Sequence, residues 1–186
     1  MKNLNLVSSL AVLGVAVLGV AAGAVADTPA VRRSVIRAAE LNLKERLLRI
    51  FPDNQYSVIG EPRGVYLDGY GAVFTAEMQP VNDGTSLMHS ILRPEEKAQV
   101  KAKKIARIPE LKKAMKEALV DTGASLDEVP LDEQVVLEVV IDRFLWEDGS
   151  GYPAELLVQA PRRRLVELKH SGNMAGVDAV IKLTER

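Results

Sequence analysis

Residues 64–78, GVYLDGYGAVFTAEM, decide how this chain folds. The dipeptide Asp68-Gly69 separates two runs rich in β-branched and aromatic residues, a pattern typical of a β-hairpin with a two-residue type I′ turn. This turn predicts that Leu67 pairs with Tyr70. Because side chains alternate between the two faces of a strand, the same register predicts one buried face. Its expected members are Val65, Leu67, Tyr70, Ala72, Phe74, Ala76 and Met78.

Helical patterns lie on both sides of this hairpin. Apolar residues recur at helical spacing over 28–51, and Pro52 ends that helix. A second pattern begins at Pro94 and reaches Gly123, a typical C-terminal cap. Pro109 lies within it and predicts a break or a kink, so we expect a pair of helices there.

Strand patterns fill most of the remaining sequence. A short strand is expected over 56–60, before the hairpin. Residues 134–146 are apolar on both faces for part of their length, which predicts a central strand. A partner strand over 155–160, a short helix over 161–170 and a last strand over 177–184 follow.

The order of these elements is helix, three strands, two helices, two strands, helix, strand. Short connections between strands dominate, which predicts an α+β domain. We expect a largely antiparallel sheet of about five to six strands, packed on one face against two to three helices. The last strand–helix–strand unit can add one parallel pair through a right-handed crossover.

Residues 1–26 have the layout of a secretory signal peptide. Lys2 precedes a long apolar run, and the tripeptide AVA at 24–26 fits the small-x-small cleavage pattern. Cleavage there leaves 27–186 as a single domain, placed in the periplasm or secreted. An uncleaved membrane anchor is the alternative, because the segment carries no charge after Lys2 and is long enough to cross a bilayer.

Composition excludes several classes of function. Because Lys2 is the only charged residue of the leader, the domain keeps 23 of the 24 basic residues against 25 acidic ones. This near-neutral balance argues against nucleic-acid binding. The chain has no cysteine, and its two histidines, His89 and His170, lie far apart in the sequence. We therefore expect no metal and no cofactor.

Acidic residues near the strand ends offer one arrangement for general acid–base catalysis. The candidates are Asp68, Glu77, Asp142, Glu147 and Asp148. Two such carboxylates need burial and a short separation to divide the roles of acid and base, and solvated carboxylates are the expected outcome. The basic clusters 101–107 and 162–164 are likewise expected to be solvated helix faces.

Aromatic residues offer a second basis for function. The hairpin register places Tyr66 opposite Gly71, and a ring that covers a glycine stabilises such a cross-strand pair. Tyr70 lies at the same hairpin tip, and Trp146 ends the expected central strand. Aromatic side chains near a hairpin tip can anchor a partner, so Tyr66, Tyr70 and Trp146 are the predicted binding residues.

Two segments carry a recognisable pattern. Residues 65–77 contain Tyr-Leu-x-Gly-Tyr-Gly-x-Val-Phe-Thr, and residues 152–161 read YPAELLVQAP. Both blocks resemble segments of uncharacterised exported bacterial proteins. The resemblance implies bacterial export and transfers no functional residue.

Together these patterns favour an exported envelope protein that is not an enzyme and acts through contacts with an envelope protein or polymer. A carboxylate-dependent envelope hydrolase is the second possibility. The third is a peripheral membrane protein that uses the basic amphipathic helix over 28–51 for weak contact with a membrane surface. Packing of this helix on the sheet is the commoner use of such a pattern.

Overall fold

The strands join into one five-stranded sheet in the computed structural model, which describes residues 31–53, 55–81, 92–172 and 174–186. Its elements are α1 (Arg33–Leu47), β1 (Ser57–Leu67), β2 (Gly71–Gln79), α2 (Pro94–Ser125), β3 (Gln134–Ile141), β4 (Glu155–Pro161), α3 (Arg162–Ser171), α4 (Val177–Val180) and β5 (Lys182–Glu185). The strand order is β1-β2-β3-β4-β5, and three of the four neighbouring pairs are antiparallel. The α+β class and the central position of β3 are thereby confirmed.

The parallel pair lies in the middle of the sheet. β2 and β3 run parallel from Gly71 and Gln134 onward, and α2 connects them. The parallel pair that we considered for the last strand–helix–strand unit was wrong, because β4 and β5 are antiparallel. After α3 leaves the C-terminal end of β4, α4 brings the chain back to that end, where Lys182 pairs with Gln159. The chain therefore enters β5 in the opposite direction.

The core lies on one face of the sheet. It joins buried side chains of α1, α2 and α3, such as Leu43, Leu111 and Leu165, to alternate residues of the central strands. Those strand residues are Ala72, Phe74, Ala76, Met78, Val135, Leu137, Val139, Ile141, Leu156, Val158 and Ala160. The intervening strand residues point away from this core.

α1 packs on the sheet through its apolar side. Its buried residues include Ile36, Leu43 and Leu47. Gly64 on β1 makes room for this contact, because a Cβ added there would lie 2.7 Å from the Ile36 side chain. The membrane-surface alternative loses the apolar face on which it depended, since the core occupies that face.

α2 is one continuous helix of 32 residues, so the break expected at Pro109 was wrong. A proline removes one helical hydrogen bond, but buried Ile108 and Leu111 on either side hold the helix to the core. The cap predicted at Gly123 was also wrong, because this glycine lies within the helix. A Cβ there would overlap the Leu165 side chain, so Gly123 permits the close approach of α3.

The hairpin between β1 and β2 has a three-residue connection, 68–70, rather than the two-residue turn expected. Leu67 pairs with Gly71, which shifts the register by one residue. Gly71 has a φ of 131°, and a Cβ there would overlap the backbone oxygen of Gln134. Close contact with β3 therefore fixes where β2 begins, and this contact decides the register.

A one-residue slip moves every side chain of one strand to the other face. The predicted residues of β2 are buried, whereas Val65 and Leu67 of β1 are 49% and 47% exposed and Tyr70 is 44% exposed. The predicted burial of these three was wrong. Tyr66 lies opposite Ala72 rather than a glycine and is half-buried.

Several strand boundaries also differ from the predictions. β1 runs through both of the short strands expected before the turn, with an irregularity between Ile59 and Arg63 where Gly60 has a φ of 67°. β3 ends at Ile141 instead of residue 146, and α4 takes the first part of 177–184. β4 and α3 agree with the sequence patterns.

Candidate functional site

The predicted binding residues lie at opposite ends of the sheet. Tyr66 and Tyr70 lie at the β1–β2 hairpin, beside Gln134 at the start of β3. Trp146 follows the end of β3 at Ile141. Because a strand of eight residues is about 25 Å long, the structure does not bring Trp146 to the hairpin.

A carboxylate fixes the hairpin to the start of β3. Glu133 Oε1 accepts hydrogen bonds from the Tyr66 hydroxyl at 3.1 Å and from the Gly69 N–H at 3.2 Å. Burial and the neighbouring charges of Glu133 and Asp68 raise the pKa of Tyr66 to about 12. Tyr66 is therefore a supporting residue of the hairpin, and its hydroxyl is already engaged.

Exposed apolar side chains cluster around this support. Val65 and Leu67 alternate with Tyr66 along β1 and so point to the sheet face opposite the core. Tyr70 and Asp68, both exposed, lie in the connection that follows. We call Val65, Leu67, Asp68 and Tyr70 the hairpin surface.

The loop between β3 and β4 is built around a buried ion pair. Lys104 Nζ lies 2.6 Å from Glu147 Oε2, and the two side chains are 0% and 1% exposed. Glu147 also accepts hydrogen bonds from the Tyr152 hydroxyl at 2.9 Å and the Phe144 N–H at 2.7 Å. Lys104 donates to the Asp142 carbonyl at 3.2 Å. Both charges are thus compensated by protein groups in place of water.

Trp146 is held within this loop. Its ring stacks on Phe144 with centroids 5.5 Å apart, and Lys97 Nζ lies 5.6 Å from the indole centroid. Its Nε1 is buried and has no hydrogen-bond partner among the described residues. Trp146 therefore packs between the loop and the start of α2.

The five candidate carboxylates do not share a site. Glu147 is the one with a buried side chain, and Lys104 neutralises it. Asp148 is exposed, and hydrogen bonds from Lys101 and Ser150 lower its pKa to about 2. Asp68 is exposed at the hairpin, Glu77 is exposed on β2, and Asp142 is half-buried just after β3. An acid–base pair needs two carboxylates together, so this arrangement gives the hydrolase alternative no support.

Three basic residues expected on solvated faces are buried instead. Lys104, Arg107 and Arg162 are 0%, 7% and 7% exposed. Arg107 donates to backbone carbonyls next to β1 and β2. Arg162 donates to the carbonyls of Gly123 at 3.1 Å and Val129 at 3.0 Å. These cations satisfy backbone oxygens that water cannot reach.

The sequence did contain a signal for two of these residues. Lys104 lies four positions before Ile108, and Arg107 lies four positions before Leu111. Residues four apart share a helix face, so both lie on the apolar stripe of α2. Glu40 was missed in the same way, four positions after Ile36.

Glu40 supports the outer edge of the sheet. It is 1% exposed and accepts hydrogen bonds from Arg33, Arg37 and the backbone N–H of Gly64. Arg33 also donates to the Gly64 carbonyl at 2.9 Å. Both backbone groups of Gly64 on the free side of β1 are thereby satisfied, which protects this edge from pairing with another strand.

A groove of about 640 Å³ runs between α1 and α2. Some of its charged side chains pair across the helices, and others pair within one helix. Asp121 binds Arg46 at 2.5 Å and Lys169 at 2.6 Å, so one carboxylate links α1, α2 and α3. Asp121 therefore helps to hold the three helices together.

Two of the features predicted from sequence lie outside the described residues, namely the leader over 1–26 and His89. His170 is exposed near the end of α3. Within the described ranges, no three His, Cys, Asp or Glu side chains are grouped so that they can hold a metal ion. Nor does any helix in those ranges have the length and apolar character needed to cross a membrane.

Comparison with protein families, with curated proteins and with solved structures finds no match to this chain. The resemblance of 65–77 and 152–161 to exported bacterial proteins stays a prediction.

Proposed function

We propose that this chain is an exported, non-catalytic envelope protein that binds a protein or polymer of the envelope through the hairpin surface. The observation that carries the proposal is the exposure of Val65, Leu67 and Tyr70 together, each by nearly half of its surface. Single exposed apolar residues are common, but a contiguous group is typical of an interaction site.

The support beneath the hairpin strengthens this proposal. Glu133 fixes both Tyr66 and Gly69, and Gly71 locks β2 against β3. Side chains on such a scaffold lose little conformational freedom when a partner binds. The membrane and hydrolase alternatives have less support, because α1 uses its apolar face in the core and Glu147 is neutralised by Lys104.

Site-specific photo-crosslinking tests the binding surface. A benzophenone amino acid is placed at Leu67, and a matched control carries it at Leu48 on the outside of α1, which is 46% exposed. In cells that produce the protein, we expect a discrete crosslinked adduct from position 67 and none from position 48. The substitution Tyr70→Ala is expected to reduce the adduct from position 67. Equal adducts from both positions, or none from position 67, contradict the proposal.

Cell fractionation tests the export component separately. We expect the envelope fraction to contain a chain whose intact mass is that of residues 27–186. A chain that retains Met1 and stays in the cytoplasm contradicts export.

A further inference from the structure

We infer that the partner of the hairpin surface presents a lysine or arginine side chain flanked by apolar residues. This inference rests on the proposed function and adds the chemistry of the partner. It follows from the negative charge of Glu133 and Asp68, which lie beside the exposed apolar side chains. No basic residue in the described part of the chain forms an ion pair with either carboxylate.

Glu133 provides the first part of this charge. Its Oε1 is engaged by Tyr66 and Gly69, whereas its Oε2 is buried and has no hydrogen-bond partner among the described residues. A buried carboxylate oxygen without a donor is costly. A nearby positive charge lowers that cost even where it does not touch the oxygen.

Asp68 provides the second part and is the accessible one. It is exposed at the hairpin tip, and its charge acts with that of Glu133 to raise the pKa of Tyr66. None of the ion pairs between described residues includes Asp68 or Glu133.

The apolar neighbours define what kind of cation fits. A lysine or arginine lays its aliphatic stem along apolar side chains while its charged end reaches a carboxylate. Leu67 and Tyr70, which precede and follow Asp68 in the hairpin, expose apolar surface that can take such a stem. A metal ion fits less well, because the described residues contain no group of three ligands.

The test uses synthetic peptides as probes and amide chemical shifts of the folded protein as the readout. One peptide alternates leucine and lysine, a second replaces lysine by glutamate, and a third keeps lysine but replaces leucine by serine. We expect only the first to shift the amides of 65–71 and 133 in a saturable way. We also expect higher ionic strength to weaken its binding, because salt screens exposed charges.

Two variants separate the contribution of charge from the contribution of apolar contact to peptide binding. Asp68→Asn removes the accessible charge and is expected to weaken binding of the leucine–lysine peptide by up to about fivefold, the upper end of the range for an exposed ion pair. Leu67→Ser removes exposed apolar surface and is expected to weaken this binding as well. Asp148→Asn, an exposed carboxylate at the other end of the sheet, serves as the matched control and is expected to have no effect.

The outcomes separate this inference from the proposed function. The inference of a basic partner is overturned if the glutamate peptide binds as tightly as the leucine–lysine peptide, or if Asp68→Asn leaves binding of the leucine–lysine peptide unchanged. Photo-crosslinking at Leu67 can still succeed in either case, so the proposed function is tested separately. Shifts confined to the groove between α1 and α2 overturn the inference too. Self-association that Leu67→Ser abolishes identifies a second copy of the chain as the occupant and overturns the basic partner as stated.

Discussion

Lys104 and Glu147 form an ion pair 2.6 Å long that joins the longest helix to the loop after the central strand. Neither side chain reaches solvent. The pair organises its surroundings, because the same carboxylate also binds Tyr152 and the backbone of Phe144. Burial and the Glu147 acceptor raise the pKa of Tyr152, so its hydroxyl stays protonated and donating.

Removing one partner of this pair is expected to be strongly destabilising. Lys104→Met or Glu147→Gln leaves a buried charge without its counterpart, and either is expected to reduce the free energy of unfolding by about 3–5 kcal/mol. The double variant Lys104→Met/Glu147→Leu is expected to lose less than the sum of the single changes. Urea unfolding measures all three values.

The control for this cycle lies one turn away on α2. Lys101 pairs with exposed Asp148, so Lys101→Met is expected to change stability much less than Lys104→Met. Similar losses for Lys101→Met and Lys104→Met contradict the prediction.

Glu40 is expected to make stability depend on pH in the acid range. Burial alone raises the pKa of Glu40, but hydrogen bonds from Arg37, Gly64 and Arg33 together lower it by more than burial raises it. The pKa therefore lies below its ordinary value. Its stabilising contribution is therefore complete above the unfolded pKa of about 4.3 and is lost as the pH falls through the folded value. The free energy of unfolding should fall more steeply below about pH 4.3 in the wild type than in Glu40→Gln. If the free energy of unfolding falls equally steeply with pH in the wild type and in Glu40→Gln, Glu40 does not cause the acid dependence.

Gly71 and Gly69 are expected to respond differently to the same substitution. Gly69 has a φ of 74° with open space around it, so Gly69→Ala is expected to cost about 1–2 kcal/mol from backbone conformation alone. Gly71→Ala adds a clash with the backbone of Gln134, and a loss above about 3 kcal/mol is expected. Thermal and urea unfolding of both variants measure the difference. Equal losses are incompatible with the described contact between β2 and β3.

Pro109→Ala is expected to stabilise the protein. The alanine restores the N–H that bonds to the Ile105 carbonyl in a regular helix and removes the clash of the proline ring with that carbonyl. A gain of about 1–3 kcal/mol is expected after the greater freedom of the unfolded chain is subtracted. Urea unfolding with helix content followed by circular dichroism measures it. A destabilised variant indicates that the ring makes a packing contact that α2 needs.

The sequence predicts the features that depend on neighbouring residues. The helices and most strands follow from local periodicity, and α1 packs as its apolar stripe indicates. The hairpin register does not follow, because Asp68-Gly69 is a local signal while the contact of Gly71 with Gln134 joins distant parts of the chain. The same is true of Tyr70, whose exposure depends on that register.

The burial of charged residues does not follow fully from local patterns either. The sequence places Lys104 in a basic run that is expected to be solvated, because its partner, Glu147, lies in a loop whose path no local pattern reveals. Its place on the apolar stripe of α2 was readable from the spacing to Ile108. The role of Trp146 depends on the same loop, so its packing was equally hidden.

The parallel contact between β2 and β3 has a kinetic consequence. β2 ends at Gln79 and β3 begins at Gln134, so β2 and β3 meet only after all of α2 has been added to the chain. Closing so large a segment is slow compared with forming a local hairpin. Until it closes, β2 has no strand on the side that β3 occupies in the folded sheet. During synthesis β2 therefore has an unpaired edge until β3 has been made, and an unpaired strand edge can pair with another chain.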